Sequence, residues 1–178
     1  MSPQSRGRPT GRGRRRPTRR PGANRTAAKC WFDEPSPGDR RSWAVPPGHG
    51  SYRGLDLELL DPADEDELTF LIEAMHPELA DALRRGGEMS VGGEPFSPRL
   101  HVAMHQIVAN QLLAGDPPET WQTVQRLAAL GYDWHNIMHM IAGVVSEDVY
   151  HMVREKRPFD PVGYIGRLNE LPGDWPPP

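Results

Sequence analysis

Two His-x-x-x-His pairs, His101/His105 and His135/His139, hold four of the seven histidines of this chain. In a helix, residues four apart lie on one face, one turn from each other. Two imidazoles presented that way can share a metal ion, and two such helices side by side complete a four-nitrogen site. Zn²⁺, Fe²⁺, Mn²⁺ and Ni²⁺ all accept imidazole, and a carboxylate among the ligands favours iron or manganese. The carboxylates weighed for that role are Glu147, Glu94 and Glu78. At about 100° per residue, Glu147 lies about 80° round the helix from His139, which suits a hydrogen bond to a ligand's N–H better than direct ligation. His151 is about 120° away from His139 by the same step and is left out. His76 stands before Pro77 and interrupts a helical pattern. It is expected to cap the following helix or to face solvent, the alternative being approach to the site as a fifth ligand or a donor behind it. His49 lies in the basic arm and is set aside.

The elements that must position these pairs are read from helix signals. Asp61-Pro62 opens a helix, with acids at 64–67 in its first turns and Leu68, Leu71, Ile72 and Met75 as its apolar stripe. A short helix runs from Pro77 to Arg85 and stops at Gly86-Gly87. Residues 86–96 read as a Gly-rich loop, with Val91 and its neighbours too short for a strand. Ser97-Pro98 opens the helix of the first histidine pair, which ends near Gly115. Asp116-Pro117-Pro118-Glu119 opens the next as a capping box, with a stop at Gly131. Asp133 caps the longest helix, from about Trp134 to Glu155, and Asp160-Pro161 starts the last, which ends at Leu171-Pro172. The expected fold is all-α: a small bundle of four to six helices behind a disordered basic N-terminal arm.

Connection lengths bring the pairs together. The helices starting near 98, 117 and 133 are joined by short loops, which make sequential neighbours antiparallel. The first and third then run parallel, and both histidine pairs, in their opening turns, fall at the same end. The positive end of a helix dipole there keeps imidazoles neutral but repels a cation, an effect that Asp133 and the acidic body offset. Two other readings stand beside the metal: an interhelical hydrogen-bond network, and histidines that move protons without an ion.

Other chemistries are excluded by what is missing. HVAMH and HNIMH lack the glutamate of His-Glu-x-x-His zinc proteases. The di-iron bundle signature, Glu-x-x-His on two helices, is absent too. The chain has no Gly-x-Ser-x-Gly, no P-loop and no dinucleotide fingerprint. The single cysteine, Cys30, can form no disulfide within the chain and cannot anchor a zinc finger.

Charge divides the 178 residues sharply. Residues 1–54 carry a net +10 and residues 55–178 a net −13, inside an overall −3. Residues 1–51 are Arg-, Pro- and Gly-rich, with too few apolar groups to offset ordering entropy, and are expected to be a disordered arm. Residues 52–172 form the helical domain and 173–178 a frayed tail. The arm suits weak contact with nucleic acid or an acidic partner through counterion release, or pairing with its own body. A third reading is translation from upstream of the natural start in a GC-rich gene. No apolar run suits a membrane span or a secretory signal, so a cytoplasmic location is expected.

The stretch from Ser97 to Val145, continuing to RPFDPVGYIGRL, resembles the bacterial family catalogued as domain of unknown function 1841. The matching features are the first His pair followed by Gln111, the Asp-Pro-Pro turn at 116–118, Gly131, the second His pair, and Phe159, Asp160 and Tyr164. The resemblance covers roughly residues 52–172 and implies a small helical domain. It supports treating His101, His105, His135 and His139 as a set, and it implies no activity. Gln111 lies about 240° from His105 and is expected to hydrogen-bond a neighbouring helix instead. The function expected is transition-metal binding by zinc, iron or manganese, with metal-assisted hydrolysis the first chemistry to test. The alternative is a non-catalytic helical interaction module with structural histidines.

Overall fold

The computed structural model describes residues 32–91 and 93–178. Seven α-helices are present among them: α1 Arg40–Ala44, α2 Glu65–Met75, α3 Ala80–Arg85, α4 Pro98–Ala114, α5 Pro118–Ala129, α6 Trp134–Arg154 and α7 Pro161–Glu170. All six expected helices are there, and α1 is an addition. Two small antiparallel hairpins accompany them, β1 (Ser51–Tyr52) with β2 (Leu55–Asp56) and β3 (Met89–Val91) with β4 (Glu94–Phe96). The second corrects the loop expected over 86–96: Met89 pairs with Phe96 and Val91 with Glu94 around a two-residue connection.

Helix α4 is the hub, packing against α1, α2, α3, α5 and α6, while α7 covers α5 and α6. Its Val108, Ala109 and Leu112 are fully buried, and Val124, Leu127, Ile137 and Ile141 meet them from α5 and α6. Each of these Val, Leu and Ile side chains contributes about 1.5–3 kcal/mol through removal from water. Gly115 closes α4 in the left-handed conformation, φ 75°, with its N–H donating to the Gln111 carbonyl at 2.7 Å.

Two helix starts differ from expectation. Helix α2 begins at Glu65, because Asp64 takes the capping role by accepting from the N–H groups of Asp66 and Glu67, while Asp61 caps only a preceding turn. Helix α5 begins after Pro117 and has no side-chain cap, so Asp116 does not form the expected capping box.

The larger correction concerns the arm. Residues from Phe32 onward are part of the folded body. Trp43 is 8% exposed and Ala44 fully buried in the main core, and α1 packs on α4. The Trp134 indole N–H donates to the Trp43 carbonyl at 2.7 Å, tying this segment to α6. Phe32 bridges to Gly48, where an added Cβ would meet the Phe32 and Leu57 side chains at 3.0 Å, so a larger residue there would push both aside. The reason is local. Two aromatic anchors and one capped turn, with Asp39 accepting from Arg41 N–H, are enough to dock a segment otherwise poor in apolar residues. Of the arm expected over residues 1–51, residues 1–31, including Cys30, lie outside the described residues. The tail turns back on the body: Trp175 N–H donates to the Pro172 carbonyl, and Pro178 lies beside Gly131. Among the described residues no helix is long and apolar enough to cross a membrane.

Candidate metal centre

Three segments deliver five imidazoles to one place. Ser97 caps α4 by accepting from Leu100 N–H at 3.3 Å, which fixes His101 and His105 in the first two turns. Asp133 does the same for α6, accepting from Asn136 N–H at 2.8 Å, and so sets His135 and His139. The third segment is a joint. His76 ends α2 with φ −121° and ψ 60°, and Pro77 begins a single 3-10 turn that leads into α3.

The rings are close. Centroids of His101 and His105 are 4.7 Å apart, His105 and His139 4.8 Å, and His101 and His139 5.0 Å. The opening turns of α4 and α6 therefore meet, as the short loops require. His76 sits among them, 4.6 Å from His105 and 4.7 Å from His101. One nitrogen from each of His76, His101, His105 and His139 lies within 4.8 Å of every other. Tetrahedral zinc with Zn–N near 2.0–2.1 Å needs nitrogens about 3.4 Å apart, so small ring movements close the shell.

His76 neither faces solvent nor caps the following helix with its side chain: it is fully buried and makes no cap hydrogen bond. Its Nδ1–H donates to Glu78 Oε1 at 3.1 Å, which leaves the Nε2 lone pair turned inward. A carboxylate holding the outer nitrogen of an imidazole is the arrangement that orients metal-binding histidines and raises their basicity. Of the carboxylates expected near the site, Glu78 is thus the one, among the described side chains, that contacts a ring of the cluster. Glu147 instead lies 3.9 Å from Arg167 and 3.8 Å from His151, and the Glu94 side chain is outside the described set.

The inner nitrogens lack partners. His76 Nε2, both ring nitrogens of His105 and His139 Nε2 are buried without a hydrogen bond. Buried polar atoms are almost always satisfied, and each orphan costs about 1–3 kcal/mol. A hydrogen-bond network among the histidines does not account for them. Burial, reinforced by the neighbouring His76, holds His101 down to about 4, and burial with His135 and His101 beside it holds His139 down to about 3. His105 is pushed lower still by burial. At neutral pH these three are uncharged, the form that ligates.

His135 is placed differently from the other member of its pair. It is exposed to solvent, its ring 4.0 Å from that of His139 and 5.4 Å from that of His76. His151 lies with Glu155 and Glu147, and His49 with Asp33 and Glu58, both away from the cluster. Gln111 accepts from Thr120 Oγ1 at 2.8 Å and from the Tyr164 hydroxyl at 2.7 Å, joining α4 to α5 and α7 as its position on the helix predicts.

The family described as Domain of unknown function (DUF1841) matches residues 57–170. The chain belongs to that family. No curated protein and no solved structure matches it. All five clustered histidines and Glu78 lie within the matched DUF1841 span, whereas α1 with Trp43 lies before it.

Proposed function

We propose that this DUF1841 protein binds one transition-metal ion through His76, His101, His105 and His139. The observation that carries the reading is the set of buried, unpartnered ring nitrogens on three chain segments, brought together with Glu78 behind one of them. Four neutral nitrogens with no carboxylate in the shell favour zinc over manganese, and they bind calcium or magnesium poorly. Four protein ligands fill a tetrahedral shell, which suits a structural or sensory ion. Metal-assisted hydrolysis is the second reading. It draws on the partial exposure of His101 and His139, which leaves one side of the cluster near solvent.

Metal analysis of protein purified without a polyhistidine tag tests the proposal. Near-stoichiometric zinc or iron that disappears in a His105→Ala/His139→Ala variant is the expected result. Protein that contains no metal, and whose melting is unchanged by chelator or by added zinc, overturns it.

A further inference from the structure

We infer that His135 is the exchange ligand of this centre, the imidazole that captures an incoming ion and receives it again on release, outside the four that hold it at rest. The inference rests on the metal reading and goes beyond it by dividing the histidines into holders and a carrier.

The division follows from exposure and spacing. His76 and His105 are sealed from water, and His101 and His139 are partly buried. A hydrated ion can approach that quartet only from the side of His101 and His139, which is also the side of His135. His135 is exposed, yet its ring stands 4.0 Å from that of His139 and 5.4 Å from that of His76. It lies one turn nearer the start of α6 than His139, on the same face, so it stands at the rim above the quartet. The Glu78 carboxylate, 60% exposed and bonded to His76, adds negative charge at the same side, and that charge acts on His135 as well. An ion that first bonds His135 is already within one ligand exchange of His139 and His76. Zinc expands readily to five-coordination, so the nitrogens can be swapped one at a time without a naked ion. The quartet is complete without His135, so losing this ring changes the route more than the destination. Because the route is the same in both directions, loading and release change together.

The test is stopped-flow zinc transfer, with a chromophoric zinc chelator as competitor, on the full chain, His135→Ala and His105→Ala. The expected result for His135→Ala is one zinc per chain and a Kd within about threefold of wild type, with loading and release both slowed about tenfold or more. A Kd loss as large as that of His105→Ala makes His135 an ordinary ligand and overturns the inference. Unchanged rates make it a bystander and overturn it equally. A wild-type protein that takes up no zinc overturns the metal reading itself, a result distinct from either. Circular dichroism of His135→Ala checks that this exposed substitution leaves the fold intact.

Discussion

Replacing His105 by leucine separates the cost of this cluster from its use. His105 is 1% exposed, and neither ring nitrogen has a hydrogen-bond partner. Each orphan costs about 1–3 kcal/mol, so the metal-free protein carries roughly 2–6 kcal/mol of unrelieved desolvation at this one side chain. Leucine has a similar volume and no polar atoms. Refitting its branched shape takes back about 1–2 kcal/mol, an ordinary cost for a change of side-chain shape in a packed core. The net expectation is that His105→Leu, in the presence of EDTA, is at least as stable as wild type, by about 0–5 kcal/mol. For a body of this size that is a rise in Tm of about 2–4 °C per kcal/mol. Zinc reverses the order. At a thousandfold excess over Kd it adds about 4 kcal/mol to wild type and little to the variant. Thermal and urea denaturation, each with EDTA and with zinc, measure all four states. If His105→Leu in EDTA is instead destabilised by several kcal/mol, the ring is making favourable structural contacts, and the reasoning from unpartnered nitrogens fails.

Further outcomes follow from the same geometry. Glu78→Ala removes the acceptor for His76 Nδ1–H and should weaken zinc binding about tenfold, the low end for such partners because Glu78 is exposed, as read by competition titration. In EDTA the protein should lose stability as pH falls from about 6.5 toward 4. Over that window the unfolded chain takes up protons at His101 and His139 while the folded state, with their pKa values near 4 and 3, does not; urea midpoints at several pH values check the sign. Trp43→Ala should cost about 3–5 kcal/mol, since the side chain is in the main core, and a chain lacking residues 32–50 should melt well below the full protein. Tyr164→Phe should cost about 1 kcal/mol through its lost bond to Gln111, with zinc affinity unchanged.

The histidine pairs were legible because three local signals agreed. The spacing of four put each pair on one face, the caps Ser97 and Asp133 placed them in opening turns, and tight loops left α4 and α6 with their starts together. His76 was hidden by its own joint. Pro77 ends the periodicity that would have shown which way the ring points, and no spacing rule links a residue at a helix break to a helix far along the chain. The one local hint was the carboxylate two residues on, at Glu78. The distinction between His135 and His139 was equally invisible, since position on a face does not reveal depth along the bundle. The segment at 32–50 failed for another reason: composition predicts whether a stretch folds alone, and this one folds by inserting Trp43 among α4 and α6. The β3–β4 hairpin was announced only by the Gly-Gly pair between MSV and EPF, a signal that weighs little beside so short an apolar run.

The position of His76 at a bend, off the shaft of either neighbouring helix, would turn a bound ion into a staple. Coordination there would pin three stretches of sequence at one point, and each closed loop would narrow the range of the unfolded chain much as a crosslink does. Of the three, the 65–85 segment would be held at its own weak spot, so stripping the ion should relax α2 and α3 before it disturbs the α4–α6 pair. Amide hydrogens across those two helices would then exchange faster in chelator, and occupancy of the centre would be written into their mobility.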